Sequence, residues 1–102
     1  KTMKKTFIIL LKIVVDRATY EPYLPDHLTY LQTLKQQGTL LLSGPFTDRT
    51  GGMVMVRADS REDAEAIARA DPLVQSGVDT CEVREWLITD GLPEQIEITS
   101  RA

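Results

Sequence analysis

The sequence predicts an α+β domain in which four antiparallel strands form one sheet and two helices cover one of its faces. Three observations carry that prediction. Phe7 to Val15 is a nearly continuous, β-branched apolar run; Leu28, Leu31 and Leu34 recur at helical spacing; and two more strand-like runs precede a second helix and a last strand.

The run Phe7-Ile8-Ile9-Leu10-Leu11-Lys12-Ile13-Val14-Val15 suits a central strand covered on both faces. Asp16 to Pro22 is polar and punctuated. Pro25 then sits where a first helical turn tolerates a missing N–H, so a helix is expected from about Pro25 to Gln37, with Gly38 as its stop. Thr39 to Ser43 reads as a second strand ending at Gly44-Pro45. Met53 to Ala58 reads as a third, after a turn over Asp48 to Gly52, and the two form a hairpin. Ser60 and Asp63 make a capping-box-like start to a helix over Arg61 to Ala70, with Ala64, Ile67 and Ala68 as a narrow apolar stripe. Asp71-Pro72 breaks it, because a residue before proline disfavours helical geometry. Leu73 to Gly77 is expected to be a turn, and Val78 to Ile88 the last strand. The order is βαββαβ, the ferredoxin-like plan. One domain over residues 1–102 is expected, with a core of about 6–89 and a C-terminal extension over 90–102. Ile96-Glu97-Ile98-Thr99 alternates in that tail and fits either a frayed end or a short added strand.

Apolar residues make up 42% and charged residues 26% of the 102, an ordinary globular balance. The formal charge is −3 and basic residues cluster only at Lys4, Lys5 and Lys12, so the footprint of a nucleic-acid binder is missing. Cys81 stands alone, which favours a reducing compartment, and the cytoplasm is the expected location. Phe7 to Leu11 is too short for a signal peptide core and is broken by Lys12, and no run is long enough to cross a membrane. A sheet whose strands are apolar on both sides leaves one greasy face, and a second copy of the chain is its expected cover.

His27 is the only histidine and falls in the first turn of the expected helix. Its simplest reading is a partly exposed helix residue; a catalytic reading requires a carboxylate that fixes its tautomer and frees the other nitrogen as a base. Asp26 is adjacent but points elsewhere on a helix. Asp71, at the break after the second helix, is the better partner, although an Asp before Pro is also an ordinary turn former that accepts backbone N–H bonds. Ser43, Gly44 and Pro45 end a strand where glycine permits close approach of a ligand. No dinucleotide fingerprint, phosphate loop, nucleophile elbow or metal-binding helix motif occurs.

Taken in order, Pro25-Asp26-His27-Leu28-Thr29-Tyr30-Leu31, Gly38-Thr39-Leu40-Leu41-Leu42-Ser43-Gly44-Pro45, Ala70-Asp71-Pro72-Leu73-Val74 and Gly77-Val78 resemble the YCII-related family. The resemblance covers Tyr23 to Ile88. It implies a homodimeric α/β barrel with a pocket in each subunit, and a His-Asp pair, here His27 and Asp71, as the catalytic residues. The substrate-binding candidates are Ser43, Gly44, Pro45, Phe46 and Ser76. One activity associated with the family is dehydrochlorination of a chlorinated hydroxyhydroquinone, which needs no cofactor and no metal. The resemblance therefore implies a small aromatic substrate, with His27 removing a phenolic proton. Many members carry Arg-Pro before the His where this chain has Leu24-Pro25, a replacement compatible with an uncharged substrate. Lactone or enol isomerisation by the same pair, and a non-catalytic ligand-binding or dimerisation module, are the alternatives.

Overall fold

Side chains along β1 (Lys5–Ile13) alternate between faces, so Phe7, Ile9 and Leu11 point to one side and Ile8 and Leu10 to the other. The first set is buried and the second half-buried, which makes one face of the sheet the core face. The computed structural model of the chain describes residues 4–99. After β1 come α1 (Arg17–Tyr20), a 3-10 turn over Glu21–Tyr23, and α2 (Leu24–Gln36). Next are β2 (Leu40–Pro45), β3 (Gly51–Ala58), α3 (Arg61–Arg69), α4 (Pro72–Gln75), β4 (Asp79–Glu85) and a 3-10 turn over Pro93–Gln95.

The four strands form one antiparallel sheet in the order β2-β3-β1-β4, so the fold is α+β and ferredoxin-like, with β1 inside as its apolar run predicts. Ile9 lies opposite Val54 on one side and Val83 on the other, a layer that faces the helices. Leu31 and Leu34 of α2 and Ala64 and Ala68 of α3 close over Phe7, Ile9, Leu11, Val54 and Val56. Alanines at the α3 contact let that helix lie close to the sheet. The Tyr30 hydroxyl donates to the Ile67 carbonyl at 2.7 Å and ties the two long helices together. Ser60 caps α3 by accepting from the Asp63 N–H, as the sequence signal predicts.

Several boundaries differ from expectation for local reasons. The polar stretch after Asp16 holds a short helix: the Asp16 carboxylate accepts from the Thr19 N–H and starts α1, which sequence periodicity over four residues could not reveal. Leu73 to Gly77 is not a plain turn, because Pro72 to Gln75 closes one helical turn with Asp71 as its cap. Strand β3 begins at Gly51, inside the expected turn, because glycine lets its backbone pass against Leu11: a Cβ there would lie 1.8 Å from the Leu11 carbonyl oxygen. Strand β4 ends at Glu85, and Trp86 contributes only one further bond, from its N–H to the Thr6 carbonyl. Gly38 does stop α2, with φ of +75°. Residues 96–99 have no regular structure, and Ile98 and Thr99 border a groove between α2 and β2. Residues 1–3, and 100–102 of the expected extension, lie outside the described residues.

Candidate active site

The buried stripe of α2 is His27, Leu31 and Leu34, at positions i, i+4 and i+7. His27 therefore occupies the inward position that Leu28, half-buried beside it, was expected to hold. It is 9% exposed, which removes the reading as a surface helix residue. Asp71 is 3% exposed and caps α4, accepting from the Leu73 N–H at 2.9 Å. Its two carboxylate oxygens also stand 2.9 and 2.8 Å from His27 Nδ1. The turn-forming role and the partnership with His27 thus coexist in one side chain. A carboxylate at Nδ1 favours the tautomer with the proton on that nitrogen and leaves Nε2 as the acceptor.

His27 lines a cavity of about 240 Å³. Ser43, Gly44 and Pro45 of β2 form part of its rim, while Leu24, Leu28 and Leu31 of α2 supply an apolar wall. Gly51 and Gly52 also line it, and their missing side chains let neighbouring backbone close in: a Cβ on Gly52 would come 2.7 Å from the Gly44 carbonyl oxygen. Asp71 stands behind His27 rather than in the lining. Phe46 and Ser76, both candidates from the sequence, do not line the cavity. Phe46 is 38% exposed just past the end of β2, and the Ser76 hydroxyl donates to the Leu73 carbonyl at the end of α4.

Two titratable lining residues escape the sequence reading. Tyr20 is brought in by α1, and burial, followed by the Asp79 and Asp71 charges, raises its phenol above the ordinary value. Asp79 opens β4 on the core face, in register with Ile13. It is 3% exposed, and neither carboxylate oxygen has a hydrogen-bond partner among the described residues. Burial, and next the Asp71 charge, raise its carboxyl to about 6 against the opposing pull of His27. No lysine or arginine lines the cavity among the described residues.

The sequence pattern of the YCII-related domain matches residues 7–87 of this chain. The chain belongs to the YCII-related domain family. This YCII-related domain is 39% identical over 66 residues to the uncharacterized protein YjpA of Bacillus subtilis (strain 168), a match over 65% of this chain and 78% of that protein. Among solved structures it is similar to 5-chloro-2-hydroxyhydroquinone dehydrochlorinase (TftG) of Burkholderia phenoliruptrix AC1100, a complex with 2,5-dihydroxybenzoquinone. The TM-score is 0.70 at 22% identity, over 80% of this chain and 93% of that one, so the fold is shared. The family match takes in β1, which the residue resemblance alone did not reach. In chemical terms, the YCII-related cavity offers one imidazole held by a carboxylate, one buried carboxyl, one phenol and apolar walls.

Proposed function

We propose that this YCII-related domain is a cofactor-independent lyase that removes the elements of hydrogen chloride from a chlorinated hydroxyhydroquinone-type aromatic in the cytoplasm. The observation that carries the reading is the buried 2.8 Å contact between His27 Nδ1 and Asp71 beside an apolar cavity. His27 Nε2 accepts a phenolic proton, and Asp71 positions the ring and stabilises the imidazolium that forms. Electron density released into the substrate ring lets the chlorine-bearing carbon take up a proton, after which loss of a second phenolic proton drives chloride out. Leu24, Leu28, Leu31 and Val54 suit the faces of an aromatic ring, and Ser43 supplies a hydroxyl at the rim. A cavity of about 240 Å³ lies below the range of about 300–1,000 Å³ typical of drug-sized ligands, which favours a single-ring occupant. The dehydrochlorinase of the same fold supports the substrate class.

A homodimer belongs to the same reading. Ile8, Leu10, Leu42 and Met53 are half-buried on the sheet face that no helix covers, and a second copy brought face to face would bury them.

The test is chloride release from 5-chloro-2-hydroxyhydroquinone by the purified protein, with no added nicotinamide or flavin and with a metal chelator present. Turnover that persists under those conditions is the expected result. A rate equal to that of buffer overturns the assignment, and conversion of an enol lactone instead moves it to an isomerase.

A further inference from the structure

Asp79 is a second titratable group in the cavity wall, and nothing in the His27 and Asp71 partnership uses it. Its surroundings are unusual for a carboxylate. The titratable groups facing it are His27 from α2, Asp71 at the start of α4 and Tyr20 from α1, while β1 beside it contributes Ile13 and Leu11. Asp71 already holds the imidazole, so Asp79 has no cation of its own among the described residues. A buried ionised carboxylate without hydrogen bonds is costly, and the cheaper state is the neutral acid. Pairs of titratable groups whose environments push their acidities apart mark the acid and the base of a site.

Resting on the substrate class above, atom balance adds a requirement. When a chlorinated hydroxyhydroquinone becomes a hydroxyquinone, the ring carbon that loses chloride carries hydrogen in the product. A base alone cannot complete the reaction; a proton must be delivered to carbon.

We propose that Asp79 is a catalytic residue of this cavity, entering protonated and delivering that proton to the chlorine-bearing ring carbon while His27 removes one from a ring hydroxyl. In the first step the hydroxyl O–H bond breaks toward His27 Nε2. A ring electron pair then forms the new C–H bond with the Asp79 proton, leaving a keto tautomer, an imidazolium and an Asp79 carboxylate. In the second step that carboxylate takes the proton of the hydroxyl para to the first. The electron pair shifts through the ring, the second C=O forms, and the C–Cl bond breaks. Asp79 is reprotonated, and His27 yields its proton to water. The sum is loss of one proton and one chloride, with no outside oxidant.

The experiment compares wild type with Asp79→Asn, which keeps the shape but carries no acidic proton. Rates are measured against pH on 5-chloro-2-hydroxyhydroquinone, and the Asp79 carboxyl is titrated by carbon-13 NMR in the free protein. The wild-type rate is expected to fall on the alkaline side as Asp79 ionises. Asp79→Asn should lower kcat by at least about a hundredfold with a smaller change in KM, and abolish the alkaline limb. A variant that keeps the wild-type kcat and the alkaline limb overturns the role of Asp79 while leaving the His27 reading intact. Absence of turnover by the wild-type protein overturns the substrate class instead, and the NMR titration then decides for Asp79. A proton held to about 6 supports it as the acid of another substrate, and titration in the ordinary carboxylate range overturns it.

Discussion

Asp71 accepts from the Leu73 N–H and from His27 at the same time, so the residue that starts α4 also orients the imidazole. A short polar side chain before Pro72 is what that helix start requires, and a carboxylate is what a base histidine requires. Asp79 is under the opposite kind of constraint. Its carboxyl is raised from 3.8 to about 6 by burial and by Asp71, so between those values the folded chain binds more protons than the unfolded one. Its contribution to stability is fully present below about 3.8 and is lost as pH rises through about 6. Asp79→Asn, neutral at all pH, should therefore raise stability above pH 6 by something on the order of 2 kcal/mol, and change it little at pH 4. Urea unfolding at the two pH values measures this; a variant destabilised equally at both contradicts it. A gain in stability coupled to a loss of rate is what a residue kept for chemistry produces.

Glycine decides how β2 and β3 meet beneath the cavity. A Cβ on Gly52 would press on the Gly44 carbonyl oxygen at 2.7 Å and on Pro45 Cα at 3.2 Å, both backbone atoms with no rotamer to yield. Gly52→Ala should therefore cost about 1–3 kcal/mol and shift Gly44 and Pro45 at the cavity rim. The same substitution should slow turnover, whereas an unchanged denaturation midpoint would show that the strands separate freely. Elements with long apolar patterns were legible from residues alone. The β1 run as far as Ile13, where the strand ends two residues short of the expected Val15, the Leu31 and Leu34 spacing, the Gly38 stop and the Ser60 cap lie where the pattern puts them. Alpha1 was not legible, because four residues carry no period, although Asp16 three positions before Thr19 is a cap signal. Tyr20 was missed with it.

At the scale of the molecule, the site assembles residues from α1, α2, β2, β3 and the start of β4, together with Leu11 of β1 and Leu73 of α4. His27 and Asp71, 44 positions apart, were paired from their chemistry and a family resemblance. Asp79 was not, since it falls inside the expected strand Val78 to Ile88, where the residues alone do not say which face it takes. Only the strand register turns it onto the core face beside Cys81 and Val83. The proposed homodimer would use the opposite face of the sheet. Ile8 sits there between Met55 and Arg84, so Ile8→Lys should convert a dimer to a monomer at micromolar concentration, with far-ultraviolet dichroism unchanged. Light scattering on both proteins decides this, and a wild-type mass of one chain would contradict it. The most direct measurement of all is a double-mutant cycle on chloride release from 5-chloro-2-hydroxyhydroquinone, using His27→Ala, Asp71→Asn and the pair. If the two residues act as one unit, each single variant loses at least about a hundredfold in kcat and the double variant is about as slow as the worse single one. Two losses that multiply, or single variants that keep the wild-type rate, would contradict a base built from His27 and Asp71.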